Sequence, residues 1–246
     1  MPDNPASDLS PSDMAKDAAA RAAVALVEDG MRLGLGTGST AVFMVQRLAQ
    51  RVRAEGLRLR CAATSRATCE LAGQLGIQIE ELDAIGWLDL TLDGADEIDP
   101  DLNLIKGGGG AHLREKIIAA ASDRMVVIAD PTKVVEQLGA FHLPVEVVPF
   151  GLETTRVHIQ RQLDGQNLSQ RPMLLRQRDG AVFRTDEDNV ILDLSLDCIG
   201  EPAQLARSLS AILFLALLRV YINPLDPQDI KGRNHRSLAA HNRSPG

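Results

Sequence analysis

Four short segments of this 246-residue chain carry side chains that can do chemistry, and the first three of them also contain glycines. The first, residues 34–40, has the sequence GLGTGST and lies at a predicted strand-to-helix turn. Glycines let the backbone approach a ligand, and free amides at a helix N-terminus favour an anion. The hydroxyls of Thr37, Ser39 and Thr40 suit the oxygens of a phosphate monoester. The segment is not a P-loop, because it lacks the lysine of that motif. It is also not a good dinucleotide fingerprint, because Ser39 occupies the third glycine position. The alternative is a tight turn with a Ser or Thr cap.

The second segment, residues 93–99, carries four carboxylates in seven residues after an apolar run: Asp93, Asp96, Glu97 and Asp99. Burying them together without partners would be costly because like charges repel. Some of them must therefore be solvated, paired or functional. The alternatives are a solvated acidic loop and, more weakly, a metal site, although EF-hand spacing is absent.

The third segment, residues 106–116, opens with Lys106 before four consecutive glycines and continues to Glu115. Ordering four glycines costs much entropy, so this loop is expected to bring its backbone close to a ligand. Glu115 falls in the first turn of a predicted helix, where the dipole favours the ionised form that a general base requires. The alternative is a surface acid. His112 and Glu115 could share a metal, but the other histidines are scattered, so we predict no metal and no cofactor.

The fourth segment, residues 130–133, ends in Lys133. Its ammonium group is a candidate cation for a phosphate, and it could equally be an ordinary surface lysine.

The first, second and fourth segments follow predicted strands in a chain that alternates strands and helices. We predict helices at 13–28 (with Ser12 as N-cap), 40–55, 66–75 and 111–122, and strands at 31–36, 57–63, 77–82, 87–92 and 125–129. This alternation indicates βαβ units and a mostly parallel sheet. Ligands bind beyond the carboxyl ends of such strands, where residues 36–40, Thr64 and Ser65, 93–96 and 130–133 lie.

After about residue 141 the pattern changes to hairpins and helices. We predict strands at 145–148, 173–178, 181–185 and 189–194 and helices at 154–163 and 202–218, with a turn at Asp179-Gly180. They indicate a second, smaller α+β domain.

Composition excludes several classes of protein. The net charge of −7 argues against non-specific nucleic-acid binding, which needs a basic face. The longest apolar run, residues 211–218, is too short to span a membrane. Three cysteines without paired spacing fit a reducing compartment, so we expect a cytoplasmic protein. Residues 1–12 are expected to be a disordered lead-in, not a signal peptide.

Together the four segments resemble ribose-5-phosphate isomerase of type A. The matching residues are 36–40, 93–97, 106–110 with 114–116, 129–130 with Lys133, 143–147 and 189–193. The resemblance implies an α/β fold: a Rossmann-like, mostly parallel sheet with helices on both faces, plus a smaller ferredoxin-like α+β lid domain. It implies a catalytic domain at 13–140 and a lid at 141–211. It also implies a homodimer or homotetramer that interconverts ribose 5-phosphate and ribulose 5-phosphate without a metal.

The resemblance also implies roles for individual residues. Glu115 matches the family's general base, and Lys106, Asp93 and Asp96 lie in its substrate loops. Our hypothesis makes these three residues catalytic as well, with Lys106 at the oxyanion and with Asp93 and Asp96 binding substrate hydroxyls and orienting Lys106. The positions implied to contact the substrate are Lys16, Thr37, Gly38, Ser39, Thr40, Asp93, Gly94, Ala95, Asp96, Lys106, Gly107, Gly108, Gly109 and Lys133. A free glutamate is a weak base, with a pKa of about 4.3. Much of the catalysis must therefore come from donors aimed at the developing oxyanion.

The resemblance ends near Ala211, where the family's closing turn and strand are replaced by an apolar run and a polar tail. Residues 212–222 are a candidate replacement for the closing strand, and 223–246 are expected to be a disordered tail. This break leaves a C-terminally damaged, inactive copy as one alternative. A second is a non-catalytic sugar-phosphate-binding protein, against which the joint presence of Lys106 and Glu115 argues. A third is a coenzyme A transferase with a glutamate nucleophile, against which the short chain and the 93–96 loop argue.

Overall fold

A computed structural model describes residues 9–212, 215–218 and 220–221. The first half of the chain alternates helices and strands as predicted. Its elements are α1 (Pro11–Val24), β1 (Arg32–Leu35), α2 (Ser39–Glu55), β2 (Arg60–Ala63), α3 (Arg66–Gln74), α4 (Leu82–Ile85), β3 (Leu90–Gly94), β4 (Glu97–Ile98), β5 (Leu104–Ile105), α5 (His112–Ala120) and β6 (Met125–Ile128).

Four of these strands form a parallel sheet in the order β2-β1-β3-β6. The strands are apolar, and β1 is buried from Leu33 to Leu35. Helix α2 buries one stripe at helical spacing, comprising Thr40, Ala41, Met44, Val45, Leu48 and Ala49. Gly56, at a φ of 70°, ends this helix. The first core therefore lies between the sheet and the helices α1 and α2.

The second half of the chain is built around an antiparallel sheet. Its elements are β7 (Leu143–Val147), α6 (Leu152–Asp164), β8 (Met173–Leu175), β9 (Gln177–Arg178), β10 (Ala181–Val182), β11 (Val190–Leu194), α7 (Pro202–Ser210), β12 (Leu215–Leu218) and β13 (Val220–Tyr221). The sheet order is β12-β7-β11-β8. Helices α6 and α7 contribute Ile159, Leu163, Leu205 and Leu209 to a second core with β7 and β11.

Two small sheets complete the described fold. Strands β9 and β10 form the hairpin predicted at Asp179-Gly180. Strand β13 pairs antiparallel with β5, which also pairs with β4. Part of the 212–222 segment therefore pairs with the second sheet through β12 and with β5 through β13.

Several sequence-based boundaries were wrong. The helix predicted at 202–218 ends at Ser210, and Leu215–Leu218 is a strand that pairs with the edge of β7. The apolar run at 211–218 has no clear helical period, so its sequence is compatible with a strand. The strand predicted at 77–82 is reduced to one bridge, between Ile79 and Cys61. Helix α1 begins at Pro11 and is capped by Ser10, not Ser12. The tail at 223–246 and residues 1–8 lie outside the described residues.

None of the helices in the described residues has the length and apolar character needed to cross a membrane.

Candidate active site

The carboxyl ends of β1 and β3 bring the first two segments into contact. The amide of Gly36 donates to Leu92 O at 2.8 Å, and the amide of Thr37 donates to Asp93 Oδ1 at 3.2 Å. A Cβ at Gly36 would lie 2.2 Å from Asp93 Oδ1 and 2.5 Å from Asp93 Cα. Only glycine therefore fits at position 36, and its packing sets the position of the Asp93 carboxylate.

Lys106 lies between two carboxylates from different elements. Its Nζ is 2.9 Å from Asp93 Oδ2 and 3.6 Å from Glu115 Oε2, and it donates a hydrogen bond to Gly94 O. The exposed fractions of the Lys106, Asp93 and Glu115 side chains are 2%, 0% and 3%. The structure thus brings together three of the four residues predicted as catalytic. Coulomb attraction at these distances is strong because little water screens it.

The glycine run begins as a bend that packs against Asp96 and His112. The amide of Gly108 donates to Asp96 Oδ2 at 2.8 Å, so the fourth predicted residue contacts the run directly. Gly107 has a φ of 111°, and a Cβ there would lie 2.4 Å from His112 Cε1. His112 Nε2 is 2.8 Å from Gly107 O. His112 therefore supports the loop, and no group of metal-ligating side chains is found among the described residues.

Hydroxyl groups collect around Thr37 at the end of β1. Thr37 Oγ1 lies 2.7 Å from Thr64 Oγ1, 2.8 Å from Ser65 Oγ and 3.1 Å from Thr68 Oγ1. Gly38 and Ser39 are exposed where α2 begins, whereas Thr40 is buried. The sequence predicted the residues 37–40 as a substrate loop and placed Thr64 and Ser65 at a neighbouring strand end. It did not predict Thr68, which lies on the following helix α3.

The two lysines predicted to contact the phosphate lie near the end of β6. Asp130 caps a turn of 3-10 helix at Pro131–Lys133 and accepts a hydrogen bond from Thr132 N at 2.9 Å. The side-chain hydrogen bond from Thr132 lowers the pKa of Asp130, and the charges of Lys133 and Lys16 lower it further. Both ammonium groups therefore lie near this carboxylate. Lys16 also pairs with Asp13 at 3.2 Å.

Comparisons with known proteins place this arrangement in a family. The model for "Ribose 5-phosphate isomerase A (phosphoriboisomerase A)" matches residues 60–213. A curated ribose-5-phosphate isomerase A from Cereibacter sphaeroides is 60% identical over 205 residues, which is 83% of this chain and 78% of that protein. The chain belongs to the ribose-5-phosphate isomerase A family.

Solved structures of ribose-5-phosphate isomerase share its fold. The enzyme from Plasmodium falciparum superposes with a TM-score of 0.79 at 33% identity, covering 86% of this chain and 91% of that one. The type A enzyme from Methanocaldococcus jannaschii gives 0.76 at 34% identity, covering 86% and 93%. The resemblance stated from the sequence and the two-part α/β fold class are both confirmed.

The second half of this isomerase-family chain also contacts the glycine run, which the sequence did not predict. Arg176 Nη1 donates to Gly107 O at 3.1 Å and to Gly108 O at 3.2 Å. Arg176 is itself held by Asp193, with Nε donating to Oδ2 at 2.9 Å. The bonded residues lie 69 and 68 positions apart in the chain, so no local pattern could have revealed the contact.

This arrangement can move one proton and stabilise one negative charge. A buried carboxylate lies within 3.6 Å of an ammonium group, beside glycine amides and a cluster of hydroxyls. The carboxylate can act as a base, and the ammonium group can stabilise an oxyanion.

Proposed function

We propose that the chain catalyses the interconversion of ribose 5-phosphate and ribulose 5-phosphate, with Glu115 as the proton shuttle. In the open-chain aldose, Glu115 removes the hydrogen on carbon 2 as a proton, and the electron pair forms an enediolate. The protonated Glu115 then returns the proton to carbon 1. A proton moves between the two oxygens, and the carbonyl shifts from carbon 1 to carbon 2, so no cofactor is consumed.

The observation that carries this proposal is the position of Lys106 between Asp93 and Glu115, at 2.9 and 3.6 Å. An ammonium group next to the base can bind the oxygen on which negative charge develops. A preorganised donor of this kind is worth about 10²–10³ in rate. Amides of the glycine run are further candidate donors. Asp93 and Asp96 would bind substrate hydroxyls, assist ring opening and orient Lys106.

The phosphate is assigned to the opposite end of the substrate. The residues 37–40 offer hydroxyls and exposed backbone at the start of α2, and Lys133 and Lys16 supply positive charge near Asp130. Binding energy from a remote phosphate can hold the reacting carbons in place. Substitution of either lysine should therefore raise KM more than it lowers kcat.

The substitution Glu115→Gln tests the proposal because the amide keeps the shape and removes the base. We expect turnover to fall by about 10²–10⁴, the usual contribution of a general base. Calorimetry should still detect binding of ribose 5-phosphate. The matched control is Glu153→Gln, because Glu153 also lies in the first turn of a helix but is 84% exposed and pairs only with Arg156 among the described residues. It should retain parental turnover.

Parental turnover in Glu115→Gln would contradict the role of Glu115. A parent chain that binds ribose 5-phosphate but never isomerises it would instead be a sugar-phosphate-binding protein or an inactive copy. The assay should be run with and without a chelator, and we expect equal rates because the proposed reaction uses no metal.

The proposal extends to assembly and location, as a homodimer or homotetramer in the cytoplasm. Its support is the family resemblance together with three free thiols, Cys61, Cys69 and Cys198, which suit a reducing compartment. Sedimentation of the purified chain would measure the assembly, and a monomer would contradict it.

A further inference from the structure

A fully buried carboxylate outside the proposed active site bonds to the helix that carries Glu115. Glu146 lies on β7 and is 0% exposed. Its Oε2 accepts a hydrogen bond from Leu113 N at 3.0 Å. Leu113 is the second residue of α5, whose first turn contains Glu115.

Helix α5 needs this contact because it has no local cap. Its N-cap residue is Ala111, which offers no side-chain acceptor to the free amides of the first turn. A carboxylate at a helix N-terminus is also favoured by the dipole. Glu146 thus supplies from a distant strand the cap that the helix lacks in its own sequence.

The other oxygen of Glu146 is held in place by two donors. Thr185 Oγ1 donates to Glu146 Oε1 at 2.8 Å, and Asn189 Nδ2 donates to the same oxygen at 2.9 Å. Glu187, in the same turn, accepts a hydrogen bond from Arg114 Nε at 2.6 Å. We call Glu146, Thr185, Glu187 and Asn189 the α5 clamp.

Fold stability alone does not explain the α5 clamp. Burial raises the pKa of Glu146, which means that the ionised form is disfavoured where it stands. All three of its donors are neutral, and none of the ion pairs between described residues includes it. Burying a charge costs much free energy unless the charge is both paired and hydrogen-bonded. What Glu146 contributes is orientation. Two hydrogen bonds fix its carboxyl group, and the third fixes the first turn of α5.

We propose that Glu146 is a positioning residue for the isomerisation, which fixes the first turn of α5 and therefore the direction of the Glu115 carboxylate. This inference rests on the proposed function, since it assigns Glu146 a task only if Glu115 is the base. Glu146 touches no reacting atom in this scheme. It acts through Leu113, and the second half of the chain becomes part of the catalytic apparatus.

The test measures kcat and KM for ribose 5-phosphate in Glu146→Met and Glu146→Gln. Methionine fills the space without capping α5. We expect kcat to fall about 10- to 100-fold, since an ångström of misplacement at a reacting group costs on that order. KM should stay within about threefold of the parent, because the phosphate and hydroxyl contacts are not on α5. Glutamine keeps an acceptor for Leu113 N, so it should recover most of the lost kcat.

The matched control is Val145→Ala, at the preceding position of β7. Val145 is 0% exposed and packs in the second core, on the opposite face of the strand. It should lower the melting temperature and leave kcat at the parental value. If Val145→Ala loses as much kcat as Glu146→Met, the effect is general instability and the inference is wrong.

Three other results would also overturn it: parental kcat in Glu146→Met, a loss confined to KM, or no recovery in Glu146→Gln. Should Glu146→Met fail to fold, Thr185→Val replaces it, because it removes one donor to Glu146 and keeps the shape. Its kcat should fall about threefold or more, and an unchanged kcat would contradict the inference. Glu115→Gln, measured alongside, separates the two proposals. If it loses turnover while Glu146→Met does not, only the clamp inference fails, and if it keeps turnover both fail.

Discussion

Replacing Lys106 by methionine should damage both stability and turnover, by amounts that can be worked from the site. Methionine has nearly the length of the lysine side chain but carries no charge. The substitution would leave the Asp93 and Glu115 carboxylates facing each other without the ammonium group that now lies 2.9 and 3.6 Å from them. All three side chains are at most 3% exposed, so water can replace little of the lost attraction.

The expected loss of stability in Lys106→Met follows from the two distances between Lys106 Nζ and the carboxylates. At an effective dielectric constant of about 20, each attraction is roughly 5 kcal/mol. Desolvation of the three ions offsets much of this sum. Removing one partner of a buried ion pair typically costs about 3–5 kcal/mol. For a chain of this length, that corresponds to a fall in melting temperature of roughly 6–20 °C. Loss of an oxyanion donor should also reduce turnover by about 10²–10³.

Two measurements separate these effects. Calorimetry gives the melting temperature, and a coupled assay below that temperature gives kcat. The double substitution Lys106→Met with Asp93→Asn should regain part of the stability, because it removes one of the two like charges left facing each other. The introduced asparagine can keep the oxygen that accepts from Thr37 N and Gly94 N, since those amides bond to Oδ1 of Asp93 and not to the Oδ2 facing Lys106. Turnover should remain low in the double variant.

The reasoning would be refuted by a Lys106→Met protein that melts within about 2 °C of the parent. In most chains of this size, a loss of about 1 kcal/mol already lowers the melting temperature by more than that. That result would mean that the Lys106 ammonium group contributes no net stability at this site. A protein that loses stability but keeps parental kcat would refute only the role of Lys106 at the oxyanion.

Two further predictions concern the glycine run and the acid stability of α1. Gly107→Ala should yield little folded, active protein. The alanine Cβ would lie 2.4 Å from the ring of His112, and alanine rarely adopts the φ of 111° found here. Soluble yield and kcat would measure the effect, and parental values of both would contradict it. Hydrogen bonds from Arg47, and to a lesser extent from Arg21, lower the pKa of Asp17. The Asp17 carboxylate therefore stabilises the fold above the unfolded carboxyl pKa of about 4, and this stabilisation is lost as the pH falls through the lower pKa of the folded state. In Asp17→Asn the melting temperature should be lower near pH 6 and should fall less on acidification to pH 3, and equal slopes for the two proteins would contradict this.

The parts of the candidate site that follow parallel strands were predictable from the sequence. An apolar run followed by glycine and polar residues marks the carboxyl end of such a strand, and neighbouring ends converge. The residues 36–40 and 93–96 lie together for this reason, and Lys106 joins them where the glycine run turns back. The proximity of Lys106 to both Asp93 and Glu115 could be anticipated from that convergence and from the first turn of one helix.

The support from the second half of the chain was not predictable in this way. Arg176 and Glu146 belong to the antiparallel half, where local pattern shows which face of a strand is buried but not what that face contacts. Glu146 lies within an apolar strand, in which an acid would be expected to face outward. The apolar run at 211–218 was wrongly assigned to the preceding helix for a related reason, since an apolar run without clear period is compatible with both helix and strand.

The four glycines explain how a cation and a base so close in sequence can face each other. Lys106 and Glu115 flank the run, and the chain must reverse between them within a few residues. Gly107 and Gly110 make the reversal with φ values of 111° and 82°, and a Cβ at Gly110 would lie 2.5 Å from the ring of Phe183. Such a loop has high conformational entropy when unfolded, so it stays ordered only if its surroundings hold it. Contacts from both halves of the chain meet that requirement, which makes the antiparallel half a condition for the geometry of the site and not only a cover over it.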